Sequence, residues 1–288
     1  MEITTKIGCK IDCIYCPQEK FAKAYKKRSN VLMLSFDVFK ACVDKIPVTE
    51  EIRFSGMCEP WLNPECTKML LYAYKKGFIV RAFTTLVGMS LSDIDLIESI
   101  PPNKILIKVH LPSREGYEKI NVNNDYLKIL KKIYKSKINK LFHCNSKNIH
   151  PRVREILVHN ESYYWKLDNR GHNIKIKNVS IPVKRHGTIG CLWKWRPETQ
   201  TYLKTSAFTV LLPNGEVLFC CQDFGMKHVL GNLLLSDYDS LFRSDEFTKI
   251  VIGMSDESVD ILCRYCEHSW EVADSKRSFK ISPPKDPP

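Results

Sequence analysis

"GCKIDCIYCPQ", residues 8–18, holds three cysteines, Cys9, Cys13 and Cys16, in the spacing C-x3-C-x2-C. A tetrahedral zinc site takes four ligands and a disulfide takes two. Three thiolates in one loop suit a metal centre that keeps one position open. The loop follows the strand candidate "EITTKI" (2–7) directly. Further strand candidates are "EIRFS" (51–55), "FIVRAFT" (78–84), "KILIKVH" (104–110) and "KLFHCN" (140–145). Amphipathic stretches over about 35–45, 64–76, 90–99 and 124–136 read as helices, with Asn63-Pro64 and Ser90/Ser92 as start signals. Strand–helix alternation over the first 150 residues predicts a parallel sheet. In a parallel α/β barrel the loops at the C-terminal strand ends form the functional rim, and the cysteine loop falls there.

The alternation blurs beyond 150. "NIKIKNVSIPVKRHG" (173–187) reads as a final strand and a connector. From about 188 the cysteines return, and "SAFTVLLPNGEVLFCC" (206–221) reads as two strands around a Pro-Asn-Gly turn. "SPPKDPP" (282–288) reads as a disordered tail. No internal repeat is visible.

The bulk composition narrows the class. With 288 residues, 44% hydrophobic and 26% charged, the chain reads as a soluble globular protein. It lacks an apolar run of about 18 residues, and its start, "MEITTKIGCK", lacks the apolar core of a signal peptide. A cytoplasmic location is the expectation. Twelve cysteines in a reducing compartment point to metal or redox chemistry rather than disulfides. The net charge of +12 admits an anionic partner. Most of it is lysine on solvated helix faces, as in 126–140, where Leu127, Leu130, Ile133 and Tyr134 recur at helical spacing with lysines between them. Lysine is a hydrated point charge rather than a forked phosphate reader, so nucleic acid is not the expected partner.

The cysteine loop after the first strand, with Tyr15 just before the third cysteine, resembles the radical S-adenosylmethionine (SAM) superfamily. "FSGMCEPWLN" (54–63), at the end of the second strand, is similar to that family's Gly-Glu-Pro segment, which holds the SAM amino group. The resemblance implies an α/β fold, a partial (β/α)6 TIM-like barrel over 1–185. It also explains the number three: three thiolates bind a 4Fe–4S cluster and leave one iron for SAM. In the family, an electron from that cluster breaks the sulfonium bond, and the 5′-deoxyadenosyl radical removes a hydrogen atom from substrate. Carried over residue by residue, Tyr15 is expected near the adenine, and Gly56, Met57, Cys58 and Glu59 at the methionine end. Cys58 stands where a glycine is common in that motif. Thr84 and Thr85, and Lys108 and His110, end the third and fourth strands and are candidate SAM contacts, with ordinary strand-end polar residues as the alternative.

Cys191, Cys220, Cys221, Cys263 and Cys266 form the second set. The Gly-x4-Cys step from Gly215 to Cys220 and the terminal C-x2-C resemble the small cysteine-rich twitch/SPASM extension of radical SAM enzymes, here expected over 186–275. Four ligands, Cys191, Cys220, Cys263 and Cys266, imply one auxiliary cluster, hence two 4Fe–4S clusters with SAM as cofactors. Structural zinc is the alternative for this set. Adjacent strand residues point to opposite faces, so Cys220 and Cys221 are not both expected to ligate one cluster, and the resemblance of the Gly215–Cys220 step favours Cys220. The resemblance further implies a flavodoxin- or ferredoxin-type electron donor.

Oxidation of a substrate radical needs a base, for which Asp223, His110 and Lys108 are candidates. Epimerisation instead needs a hydrogen-atom donor, for which Cys221, Cys58 and Cys144 are spare thiols. Cys42 and Cys66 read as core. The expected activity is oxidation of a small polar substrate such as a sugar or cyclitol, since no leader-binding segment precedes the barrel. A radical epimerase, a ribosomal-peptide-modifying enzyme and a non-enzymatic zinc or nucleic-acid-binding protein are the alternatives.

Overall fold

In the computed structural model, the structure describes residues 1–157, 162–164, 170–171, 173–174, 184–191, 195–196, 201–202 and 208–272. Strands β1 (Glu2–Ile3), β2 (Glu51–Phe54), β3 (Ile79–Thr84), β4 (Ile105–His110), β5 (Lys140–Cys144) and β6 (Ser162–Tyr164) lie side by side and parallel. Helices α1 (Gln18–Lys26), α2 (Phe36–Val43), α3 (Cys66–Lys75), α4 (Leu91–Ile97), α5 (Asn124–Lys135) and α6 (Pro151–Arg154) fall in the connections. The chain then forms β7 (Ile189–Cys191), β8 (Trp195–Arg196), β9 (Thr201–Tyr202), β10 (Val210–Leu211), β11 (Glu216–Leu218), β12 (Val229–Asn232), α7 (Asp245–Gly253) and β13 (Ser269–Glu271).

The main sheet runs β12-β11-β10-β1-β2-β3-β4-β5-β6. β10 joins β1 in parallel, and β11 and β12 follow antiparallel. The turn between β10 and β11 needs Gly215, whose φ is +83°; a Cβ there would meet Asn232 Oδ1 at 2.6 Å. A smaller antiparallel sheet runs β13-β7-β8-β9.

Local chemistry starts the helices. The Ser35 side chain accepts a hydrogen bond from Val38 N at the head of α2, and that of Asn123 accepts one from Tyr126 N at the head of α5. Ser90 and Asp93 form a reciprocal capping box on α4. On β4, Ile105, Ile107 and Val109 are buried in the same apolar core as Tyr126, Leu130 and Ile133 of α5. Leu106, Lys108 and His110 occupy the opposite face and are half-buried. A parallel strand dry on both faces reads as a continuous apolar run. This alternation therefore leaves the sheet one polar face, which Arg53 and Arg81 share.

A second apolar cluster joins α1 to the hairpin: Ile7, Phe21, Tyr25, Met57, Val210, Leu212, Leu218, Phe224 and Met226, with Cys16 and Cys221 packed against it. Burying an aromatic such as Phe21 is worth about 1.5–3 kcal/mol, so this cluster holds the cysteine loop against the sheet edge.

The five sequence-read strands and four helices are all present. Helix α1 was not anticipated, because only Phe21 and Tyr25 anchor it among lysines. The sixth strand is Ser162–Tyr164. Most of the final strand expected over 173–187, and the tail 276–288, lie outside the described residues. Among the described residues no helix is long and apolar enough to cross a membrane.

Candidate active site

Cys9, Cys13 and Cys16 sit in the β1–α1 loop, all three half-buried. The chain turns there through positive φ at Gly8 (+85°) and Asp12 (45°), residue types that tolerate this region. Cys16 N donates to Cys13 O at 2.9 Å. Burial pushes all three thiols up, Cys16 to about 11, while the Ile11 and Glu59 amides bonded to Cys9 oppose the rise there. Such thiols stay protonated until a cationic centre arrives, which reverses the local preference. The donor set fits a thiolate-ligated iron–sulfur cluster: three sulfurs on one loop, each partly open.

The second motif is tied to β1. Glu2 Oε2 accepts from Gly56 N at 3.2 Å, and Thr4 Oγ1 accepts from Met57 N at 3.0 Å. Gly56 has φ +58°, and a Cβ there would lie 2.4 Å from Thr4 Oγ1. The Met57 side chain is buried in the second apolar cluster. Cys58 Sγ lies 3.5 Å from Thr5 Oγ1; burial pushes its thiol up to about 12. Glu59 is buried and accepts from Thr84 Oγ1 at 2.7 Å, Thr85 N at 2.6 Å and Thr85 Oγ1 at 2.7 Å. Burial outweighs these bonds and raises the Glu59 carboxyl. Thr84 and Thr85, expected to face SAM, are thus both turned onto Glu59.

The ends of β4 and β5 meet the cysteine loop through a residue that sequence reasoning missed. Glu118 accepts from the Tyr15 hydroxyl at 2.7 Å, from Ser113 N at 2.9 Å and from Ser113 Oγ at 2.8 Å. His110 Nε2 lies 3.0 Å from the Tyr15 hydroxyl and 3.3 Å from Glu118 Oε1. Burial works against the Glu118 carboxylate, but His110, Tyr15 and Ser113 outweigh it and hold the carboxyl down at about 2. His110 stacks between Tyr15 (5.8 Å) and His143 (4.5 Å). Burial, then His110 and Lys108, hold His143 well below the usual histidine range. Lys108 Nζ lies 5.3 Å from the Phe83 ring centre. A carboxylate in a polar loop four residues past Arg114 carries no periodic signal, which is why Glu118 stayed hidden.

The second cysteine set converges. Cys191, Cys220, Cys263 and Cys266 line one pocket together with Phe219, Gln222, Leu262, His268 and Ser269. Cys191 ends β7 and pairs with Ser269 of β13. Cys263 lies in the 3-10 turn Leu262–Tyr265, and Cys266 N donates to Cys263 O at 3.2 Å. Buried Arg264 anchors that turn by donating to the carbonyls of Arg185 (3.2 Å), Gly187 (3.0 Å) and Gly253 (2.7 Å). Burial, then the neighbouring Cys220 and Cys191, push the Cys266 thiol up. Four thiols on one pocket wall fit a closed thiolate site. Cys221 is not in that lining and packs with Cys16 against the other cluster.

Asp223 is buried, and its oxygens accept from Lys227 N (2.9 Å) and His228 N (2.7 Å). That arrangement staples the turn after Cys221 rather than offering a base. Cys42 and Cys66 are core residues, and Cys144 is buried with its thiol pushed up to about 11. Among the described residues no three histidine, cysteine or acidic side chains converge on a single-ion position.

Residues 204–267 match the model of the SPASM iron–sulfur cluster-binding domain. Comparison with curated proteins gives no match. Among solved structures, the chain is similar to BtrN in complex with AdoMet and 2-DOIA, at 14% identity, over 94% of this chain and 92% of that one, with a TM-score of 0.54. It is similar to native anSMEcpe with bound AdoMet at 14% identity, over 92% and 85%, TM-score 0.56. It is similar to Streptococcus suis SuiB bound to precursor peptide SuiA at 11% identity, over 92% and 68%, TM-score 0.61. The fold is the mixed α/β fold of these structures, with a parallel sheet core, and residues 204–267 at its C-terminal side match the SPASM model.

Proposed function

We propose that this protein is a radical SAM oxidoreductase that takes a hydrogen atom from a small polar substrate and oxidises it by two electrons. The observation that carries this reading is the pocket lined jointly by Cys191, Cys220, Cys263 and Cys266, on a fold that also presents Cys9, Cys13 and Cys16 at the barrel rim. Cys9, Cys13 and Cys16 hold the SAM cluster, and the other four cysteines hold an auxiliary cluster. When bound, these groups supply the electron that cleaves SAM, the 5′-deoxyadenosyl radical that takes the hydrogen atom, and an acceptor for the second substrate electron.

The chain's own residues do the rest. Tyr15 and the backbone of Gly56–Glu59 shape the SAM side of the rim. With Nε2–H turned to Tyr15 and Glu118, the basic nitrogen of His110 is Nδ1, which accepts the proton that leaves the substrate. Lys108 and the two arginines of the polar sheet face favour a polar substrate such as a sugar or cyclitol. The similarity to BtrN, solved in complex with AdoMet and 2-DOIA, supports this reading. A peptide substrate is the second reading, favoured by SuiB with its precursor peptide and by anSMEcpe with the Kp18Cys peptide. The reading also implies a flavodoxin- or ferredoxin-type donor and a cytoplasmic setting.

The test is anaerobic reconstitution, followed by 5′-deoxyadenosine assays with separate sugar, cyclitol and peptide panels in deuterated water. The expected product is a carbonyl compound. A colourless zinc protein would remove the radical reading. An isomer carrying one solvent deuterium, lost on replacing Cys221, Cys58 or Cys144, would replace oxidation by epimerisation.

A further inference from the structure

His228, one residue before β12, is fully buried and bonded to the neighbours of two cysteines of the second set. Its backbone carbonyl accepts from Phe219 N at 2.9 Å, and Phe219 precedes Cys220. Its ring Nε2 accepts from Leu262 N at 3.0 Å, and Leu262 precedes Cys263. Phe219 and Leu262 both line the pocket of the four cysteines. The His228 amide donates to Asp223 Oδ2 at 2.7 Å, so the backbone that carries the ring is held as well.

These partners settle the tautomer of the ring. A backbone N–H only donates, so Nε2 opposite Leu262 carries no hydrogen. The hydrogen sits on Nδ1, which donates to Glu246 Oε1 of α7 at 2.6 Å. The Glu246 side chain is 25% exposed, while the ring is closed off from solvent. A carboxylate at the surface therefore fixes the tautomer of a buried ring, and the tautomer decides whether Leu262 N has an acceptor. A buried amide without one is costly. Glutamine also offers one acceptor and one donor; leucine offers neither.

We propose that His228, in the tautomer fixed by Glu246, is a positioning residue for the second cysteine site: it holds the Leu262 amide, and with it the start of the turn that carries Cys263 and Cys266, against the Phe219-Cys220 segment. The proposal rests on the ligand assignment of the proposed function. Groups that hold the ligands in place govern how firmly a metal centre is kept, and their loss costs about 10–100-fold in affinity.

The experiment uses reconstituted full-length wild type, His228→Leu, His228→Gln and Glu246→Ala. Iron loss to the chelator EDTA is followed with electron paramagnetic resonance of each cluster, and the SAM-responsive cluster is the internal control. Nitrogen-15 spectra of labelled histidine read the tautomer, and the signal missing from His228→Gln identifies the ring. In wild type the hydrogen is expected on Nδ1. His228→Leu is expected to lose the second cluster about 10–100-fold faster, with the first unmoved, and His228→Gln to stay close to wild type. Glu246→Ala is expected to move hydrogen to Nε2 and to speed loss of the second cluster several-fold. A wild-type rate in His228→Leu overturns the proposal. Equal loss from His228→Gln and His228→Leu makes His228 a packing residue and overturns it too. Where His228→Leu does not fold, Glu246→Ala decides: an unchanged tautomer or an unchanged rate overturns the proposal. Failure of the underlying ligand assignment looks different, because wild type itself would then hold no second cluster.

Discussion

Cys9, Cys13 and Cys16 lie within one loop between β1 and α1, whereas Cys191, Cys220, Cys263 and Cys266 come from the end of β7, the end of β11 and a 3-10 turn. The first group is local, and its loop turns at two positive-φ residues, Gly8 and Asp12. The second is assembled across more than 70 positions of sequence and exists only once β7 has paired with β13 and Arg264 has anchored its turn. A local site tolerates changes in the rest of the fold; an assembled one reports on it. The dipeptide Cys220-Cys221 is divided between two environments, since Cys220 lines the second pocket while Cys221, like Cys16, packs against the second apolar cluster.

Breaking the local group gives the largest expected effect. Replacing Cys9, Cys13 or Cys16 by alanine is expected to lower reductive SAM cleavage by at least about a thousandfold, equivalent to about 4 kcal/mol in the barrier. The iron of the second site should stay. Normal 5′-deoxyadenosine formation by any of the three would dissolve the distinction between the groups.

Cys220→Ser sharpens the assembled side. It is expected to lose about half the iron, as for two clusters of equal iron content, while Cys221→Ser keeps it. Iron analysis beside a thermal melt reads both, and the reverse pattern would place Cys221 in the pocket.

A smaller effect separates the loop's covalent sequence from its packing. Glu118→Gln is expected to cost about 2 kcal/mol at neutral pH, because it removes a buried carboxylate bonded by Tyr15, Ser113 and His110. The folded-state carboxyl is held at about 2, below its unfolded value, so its contribution is full above roughly pH 4.5. That contribution fades as pH falls towards 2. Denaturant midpoints of wild type and Glu118→Gln should therefore differ most at pH 7 and draw together as pH falls from about 4.5 towards 2. A gap that stays constant across this range would mean that the carboxylate charge plays no part.

The same contrast governs what could be read before the fold was seen. The C-x3-C-x2-C loop, the Gly56–Glu59 segment and the strand–helix alternation are short-range patterns, so they were legible. The preference for Cys220 over Cys221 came from the Gly-x4-Cys resemblance, and of the two it is Cys220 that lines the pocket. Glu118 and the engagement of Thr84 and Thr85 with Glu59 depend on long-range neighbours, which no spacing encodes. Asp223 illustrates the converse: an acid after two cysteines looks reactive in sequence, yet two backbone amides occupy it.

The pairing of β1 with β10 also carries a consequence for synthesis. Glu2 partners Val210, so one edge of β1 has no neighbour until about 208 further residues have left the ribosome. At about 5–20 residues per second, that edge waits on the order of 10–40 s, beside the loop that carries Cys9, Cys13 and Cys16. An unpaired strand edge is a template for aggregation. Completion of this sheet edge is thus a late step of synthesis rather than an early one.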